Sequence, residues 1–137
     1  MDLAKKHCVP CEGGTPPMAR ADAVKLLKKL NRYSSSGAQA ELRSSNKGSS
    51  RQARTINNVW KMLDNAVLKI SKKFKFKNFK EALEFVNKVG DIAESEGHHP
   101  DISFGWGRAE ITLYTHAVSG LSENDFILAA KINKIPN

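Results

Sequence analysis

Residues 94–101, Glu-Ser-Glu-Gly-His-His-Pro-Asp, are the densest group of proton-transferring side chains in this sequence. His98 and His99 are adjacent, and a further histidine follows at His116. Imidazole titrates near neutral pH, so these side chains suit general acid and base catalysis. Adjacent histidines do not share a helix face, which differs from the i, i+4 spacing of a helical metal site. The pattern therefore predicts a proton-transfer site without a metal.

Each of these candidate residues also has a structural explanation. His98 and His99 are well suited to the C-terminal end of a helix, where the macrodipole favours them. Asp125 lies three residues after a serine that begins the last predicted helix, which is a capping-box spacing. Trp106 either stacks on a planar ligand or packs in the core. The third histidine, together with Glu94 one helical turn before His98, favours the site.

The hydrophobic pattern predicts the elements that must position these residues. In chain order they are a helix over 19–30, strands over 59–63 and 66–76 with a turn at Asp64-Asn65, a helix from Asn78 to about Gly97, strands over 102–106 and 109–116 with a turn at Gly107-Arg108, and a helix after Ser122. This order, α-β-β-α-β-β-α, predicts an α+β fold in which helices pack on one face of a four-stranded antiparallel sheet. His116 meets the double histidine only if the fourth strand ends beside the end of the long helix.

Length and composition indicate a folded protein of 137 residues with 40% hydrophobic residues, which fits a single domain. We expect residues 1–18 to form a flexible arm, and residues 31–57, rich in Ser, Gly and basic side chains, to form an inserted loop. That loop holds five basic residues and one acid, so much of the net charge of +8 says little about the folded surface. The sequence has no run of about 20 apolar residues and no secretory signal. We expect a cytoplasmic protein without membrane contact; an organelle stays open if a transit peptide was removed.

Two further motifs have competing explanations. Cys8 and Cys11 form half of a zinc site, next to His7, but the sequence has no second cysteine pair. A turn-rich stretch follows them rather than a helix, so we interpret them as reduced thiols on the arm. Residues 72–77 alternate lysine and phenylalanine, which occurs in nucleic-acid sites. Alternation with period two is explained by an amphipathic strand, and we do not expect nucleic-acid binding.

These motifs resemble the pterin-4a-carbinolamine dehydratase family over the stretch from about Trp60 to Ile132. The most specific matches are residues 94–101, Trp106, Tyr-Thr-His over 114–116 and Gly-Leu-Ser-Glu-Asn-Asp over 120–125, supported by residues 73–79 and by the Cys-Val-Pro-Cys arm over 8–17. The predicted order of elements agrees with the fold of that family. In animals, family members also act as a dimerisation cofactor of a homeodomain transcription factor.

The resemblance implies a lyase of tetrahydrobiopterin recycling. Its substrate would be 4a-hydroxytetrahydrobiopterin, and its products quinonoid dihydrobiopterin and water. Elimination needs an acid at the 4a-hydroxyl and a base at N5, and it needs no metal or other cofactor. The resemblance also implies a homodimer or homotetramer.

The resemblance assigns roles to eight residues. The implied site consists of catalytic His98, His99 and His116, supporting Glu94 and Asp125, and substrate-binding Thr115, Trp106 and Pro100. Within it, His99 would be the principal acid, and Asp125 would orient a histidine as well as cap its helix. Gly97 stands where some members carry an acid. Two alternative functions stay open: an interaction module, with or without activity, that acts as a dimerisation cofactor for a transcription factor, and a pterin-binding enzyme of molybdenum-cofactor metabolism or folate-linked repair.

Overall fold

The computed structural model describes residues 2–10, 16–35 and 59–136. These residues form α1 (Arg20–Ser35), β1 (Lys61–Asn65), β2 (Val67–Lys75), α2 (Phe79–Glu96), β3 (Asp101–Gly105), β4 (Arg108–Leu113) and α3 (Glu123–Asn133), with 3-10 turns at Leu3–Lys5 and His116–Val118. All strand pairs are antiparallel, in the order β1-β2-β4-β3. The predicted α+β fold and its order of helices and strands are confirmed.

The two hairpins join through their long inner strands. In the β2–β4 pair, Ile70 lies opposite Leu113 and Phe74 opposite Ala109, and all four are buried. Lys73 and Lys75, which alternate with Phe74 on the same strand, are exposed, as period two requires. The buried side of the sheet and the helices therefore share one hydrophobic core.

Both hairpin turns differ from the prediction by one or two residues. Asp64 and Asn65 belong to β1, and the chain reverses at Ala66, whose φ of 59° is in the left-handed region. At the second turn Arg108 already belongs to β4, and Gly107 has φ of 72°. A Cβ at Gly107 would lie 3.1 Å from the carbonyl oxygen of Phe76, so glycine suits this turn in both conformation and space.

The helix that leads to the double histidine has the predicted boundaries. The Asn78 side chain accepts a hydrogen bond from the backbone N–H of Glu81 at 2.9 Å, which caps the start of α2. The Glu81 carboxylate accepts from the backbone N–H of Lys77, one residue earlier than a capping box requires. Gly97, with φ of 65°, ends the helix.

The first helix extends past its predicted end at Leu30, so the inserted loop cannot begin at residue 31. Asn31 is a helical residue whose side chain forms two hydrogen bonds with the backbone of Trp60, at 2.9 and 3.0 Å. A polar residue that suggested a loop thus connects α1 to the segment before β1. The rest of the predicted loop, from residue 36 onward, lies outside the described residues.

The prediction of a flexible N-terminal arm does not describe residues 2–10. Leu3 is buried in the core, and Lys131 of α3 donates a hydrogen bond to the carbonyl oxygen of Ala4 at 2.9 Å. Lys6 also forms an ion pair with Glu123. Sequence patterns missed these contacts because their partners lie more than a hundred residues away.

Candidate active site

A pocket of about 420 Å³ opens where α2 ends, β4 has just ended and α3 begins. This volume lies within the roughly 300–1,000 Å³ typical of small-molecule sites. The N-terminal segment supplies a further wall. Its lining consists of Cys8, Val9, Pro10, Glu96, Gly97, His98, His99, Tyr114, Thr115, His116, Ala117 and Asn124. The three predicted histidines therefore share one cavity.

The end of α2 directs the double histidine into this pocket. Because Gly97 is left-handed, the backbone N–H of His98 turns back and donates to the carbonyl oxygen of Ala93 at 3.1 Å. This closes the last turn of the helix and leaves residues 98 and 99 beyond it. Glycine at this position follows from the backbone conformation, which a branched side chain rarely adopts.

Asp125 holds the imidazole of His98. The Asp125 side chain is completely buried, and its Oδ1 lies 2.6 Å from His98 Nε2. Its Oδ2 accepts hydrogen bonds from Thr115 Oγ1 and from the backbone N–H of Ser122, both at 2.9 Å. One carboxylate thus caps α3 and orients a pocket histidine. With Nε2 engaged, Nδ1 is the ring nitrogen of His98 that remains for a ligand.

His99 has a different environment from His98. His99 Nε2 lies 3.0 Å from Glu94 Oε2, and the two side chains are 63% and 81% exposed. The His98 side chain, by contrast, is only 11% exposed. Solvent screens the His99–Glu94 pair, so it constrains the ring far less than Asp125 constrains His98. His99 is therefore the more accessible of the two imidazoles.

His116 reaches the pocket from the 3-10 turn that follows β4, and not from the strand itself as predicted. Strand β4 ends at Leu113, and a bridge between Thr115 and Gly120 closes the loop behind it. The His116 ring packs on Tyr114 with centroids 4.3 Å apart. Lys69 Nζ lies 4.3 Å from the centroid of the same tyrosine ring. This aromatic contact gives the exposed His116 a defined neighbour.

The three predicted substrate-binding residues have different positions. Thr115 lines the pocket, but its hydroxyl bonds to Asp125 and its backbone N–H bonds to Gly120. Trp106 is 72% exposed in the turn after β3, at the far end of a strand about 17 Å long. Pro100 precedes that strand and is not among the lining residues. Only Thr115 is thus next to the histidines, and its polar groups are already engaged.

Sequence reasoning missed Glu96, which lines the pocket beneath the N-terminal segment. Its side chain is 7% exposed and accepts from the backbone N–H of Cys8, from Lys131 and from His7, at 2.9 to 3.1 Å. The Cys8 N–H is the largest cause that lowers the pKa of Glu96, and Lys131 and His7 add to it. An acid at the C-terminal end of a helix opposes the macrodipole, which was the available signal.

Two further findings concern metal binding and membrane-spanning helices. Within residues 2–10, 16–35 and 59–136, no three His, Cys, Asp or Glu side chains cluster in a way that could hold a metal ion. Cys11 lies outside those ranges. None of the helices in the described part of the chain is long and apolar enough to span a membrane.

The chain is thus a small α+β protein in which two carboxylates contact histidines of one pocket, where α2 and β4 end. The family model for pterin 4 alpha carbinolamine dehydratase matches residues 43–135. The chain therefore belongs to the pterin-4a-carbinolamine dehydratase family.

Individual relatives agree with this assignment. Proteins of Rubrobacter xylanophilus and Methylococcus capsulatus, both named as candidate pterin-4-alpha-carbinolamine dehydratases, are 41% and 39% identical over 134 and 133 residues. The alignments cover 98% and 97% of this chain, and 98% and 92% of those proteins. A solved structure from Brucella melitensis, described as a transcriptional coactivator/pterin dehydratase, is 31% identical with a TM-score of 0.52. It covers 64% of this chain and 94% of the Brucella chain.

Proposed function

We propose that this protein is a 4a-hydroxytetrahydrobiopterin dehydratase that acts in tetrahydrobiopterin recycling. The observation that carries the proposal is the pair of carboxylate-held histidines, His98 with Asp125 and His99 with Glu94, in one pocket with His116. Groups of this kind, placed around one cavity, suit a reaction that consists of two proton transfers. Membership of the dehydratase family supports the same reaction.

The proposed reaction breaks the C4a–O bond and the N5–H bond of the carbinolamine. The hydroxyl accepts a proton from an acid and leaves as water, while a base removes the proton from N5. The electron pair of the N5–H bond forms the new C4a=N5 double bond of the quinonoid product. One proton is delivered and one is removed, so the reaction is balanced without a redox partner.

The accessibility of each histidine suggests how the roles divide. We assign the acid at the hydroxyl to His99, because its exposed ring can approach a substituent above the pterin ring. His98, fixed by a buried carboxylate, would offer Nδ1 to the substrate as a hydrogen-bond or proton acceptor. His116, which belongs to a different loop, would complete the proton transfer. Glu94 and Asp125 act through their histidines, as positioning residues.

A turnover assay with enzymatically generated 4a-hydroxytetrahydrobiopterin tests this proposal. We expect the protein to accelerate formation of quinonoid dihydrobiopterin, followed by absorbance in the presence of an aromatic amino acid hydroxylase. Replacing His98 and His99 together by alanine should abolish the acceleration while the protein stays folded. A folded wild-type protein that binds pterin without accelerating the reaction would favour a binding module, such as the coactivator role in the description of the Brucella relative.

A further inference from the structure

Residues 7–10 are here called the strap, and the last three of them form a wall of the pocket that the proposed proton transfers do not use. Cys8, Val9 and Pro10 line the cavity together with the histidines. Val9 is a hydrophobic side chain that is 67% exposed at this position. An apolar side chain beside a pocket of imidazoles provides a surface on which a flat ring can pack.

Glu96 anchors the strap at its first half. Its Oε2 accepts from the backbone N–H of Cys8 at 2.9 Å, and its Oε1 contacts His7 Nδ1 at 3.1 Å. Lys131 from α3 reaches the same Oε1 at 3.1 Å. This carboxylate would be costly at the C-terminal end of α2 without these donors, because burial and the macrodipole both disfavour it there.

Asn124 anchors the next residue of the strap. Its Oδ1 accepts from the backbone N–H of Val9 at 3.0 Å, and its Nδ2 donates to the carbonyl oxygen of Val9 at 2.6 Å. Both backbone polar groups of Val9 are therefore paired with one amide, much as in a β-ladder. The pairing fixes the direction of the Val9 side chain through its backbone.

The anchors are adjacent in sequence to the groups that hold the histidines. Glu96 precedes His98 by two residues, across Gly97, and Asn124 immediately precedes Asp125. The strap is thus held by the two helix ends that set the positions of the imidazoles. A displacement of either anchor would change the distance between the strap and the histidines, and hence the width of the pocket.

We propose that Glu96 and Asn124 are positioning residues that hold the strap as a substrate-contacting wall, with Val9 packing on the bound pterin and setting its affinity. The proposal rests on the dehydratase function above. The strap supplies no proton at the reacting atoms, so its contribution is to binding of the substrate. Interactions made equally in the ground state and the transition state change KM and leave kcat unchanged.

Val9→Ala tests this without disturbing the anchors. Val9 is exposed, so its truncation should leave the melting temperature unchanged while KM for the carbinolamine rises roughly fivefold and kcat stays the same. Glu96→Ala should raise KM by roughly tenfold, and Glu96→Gln by less, because an amide oxygen still accepts from Cys8. Glu84→Ala, an exposed acid on the same helix, is the matched control. Unchanged KM in both Val9→Ala and Glu96→Ala would overturn the proposal, whatever their stability.

A second measurement does not depend on turnover. In a Cys11→Ser background, iodoacetamide should modify Cys8 more slowly when 7,8-dihydrobiopterin is bound, and Glu96→Ala should speed modification of the free protein. Equal rates with and without Glu96 would refute the anchoring. A wild-type protein that is inactive and shows no quenching of dihydrobiopterin fluorescence would instead refute the proposed function and the ligand assigned to the strap. Binding of dihydrobiopterin without protection of Cys8 would place the ligand away from the strap and overturn this inference alone.

Discussion

Asp125→Asn should separate the orientation of His98 from the stability of α3. The Oδ2 atom of Asp125 accepts hydrogen bonds from Thr115 Oγ1 and from the Ser122 N–H, whereas Oδ1 lies next to His98 Nε2. An amide that keeps its oxygen toward the two donors must turn its NH₂ group toward His98. His98 then accepts at Nε2 and carries its proton on Nδ1. The ring nitrogen that faces the ligand changes from an acceptor to a donor.

The expected loss of kcat in Asp125→Asn follows from this change of the His98 tautomer. A positioned acid or base contributes roughly 10²–10⁴ in rate, and two other histidines remain, so we expect kcat to fall by about a hundredfold. The fully buried carboxylate also loses a charge-assisted bond of 2.6 Å. That should cost about 1–2 kcal/mol in the free energy of unfolding, or a melting temperature lower by roughly 3–8 °C.

Ser122→Ala is the control for stability. It removes a hydroxyl that belongs to the capping box and bonds Thr115 Oγ1 at 2.8 Å, which should cost about 1 kcal/mol, but it removes no atom of the contact between Asp125 and His98. Steady-state kinetics and urea unfolding are measured on the same preparations of both variants. If Asp125→Asn turns over as fast as Ser122→Ala, the carboxylate is only a helix cap, and the reasoning about the tautomer is refuted.

The other predictions concern catalysis, metal, chain length and pH. His99→Ala should lower kcat by roughly a hundredfold or more, and His98→Ala and His116→Ala by less; three equal losses in steady-state assays would contradict the role given to His99. Turnover should survive exhaustive chelation, and loss of activity that zinc restores would show a metal requirement. Deleting residues 36–54, which the sequence predicts to be a loop, should leave a folded, active protein, because loop length has little effect on stability; a large fall in both melting temperature and turnover would contradict the prediction of a loop. Burial lowers the pKa of Lys72 from 10.5 to about 8. Between these two pH values the unfolded chain binds more protons at Lys72 than the folded chain does, so the free energy of unfolding rises with pH. Lys72→Met should remove that rise in urea titrations and stabilise the protein at pH 7 by about 1–3 kcal/mol; an unchanged pH dependence would show that Lys72 does not cause it.

Local signals predicted most of the fold. Asn78 and Gly97 bound α2 because capping and the left-handed C-terminal residue depend on neighbours within a few positions. The alternation at the end of β2, from Lys72 to Lys75, likewise reports one buried face of the sheet, although Ser71 on the other face is also buried. The end of α1 was missed because Asn31 binds Trp60, a partner that composition does not reveal. Tertiary contact overrode local preference there.

The site was only partly predictable, for a similar reason. The types and spacing of the histidines indicated proton transfer, and the structure places all three in one pocket. The strap anchors could not be predicted, because Cys8 and Glu96 are 88 residues apart in sequence. Trp106 was a candidate ligand contact from its residue type and from the family resemblance. Its place in the turn after β3 depends on strand length, which fixes its distance from the pocket.

Three acidic side chains in the described part of the chain depart from ordinary stabilising rules around one cavity. α2, which the structure describes throughout, ends with Glu94 and Glu96 and has no basic residue in its last turn, opposite to what the macrodipole favours. Asp125 is an ionisable side chain with no exposed surface. Each of these acids has a particular partner: His99, the Cys8 N–H with Lys131, and His98. A chain selected for stability alone could replace a buried carboxylate together with its charged partner by apolar side chains at little loss. The acids are better explained by what they hold, namely two imidazoles and the strap, and this supports the proposal that the pocket is the active site.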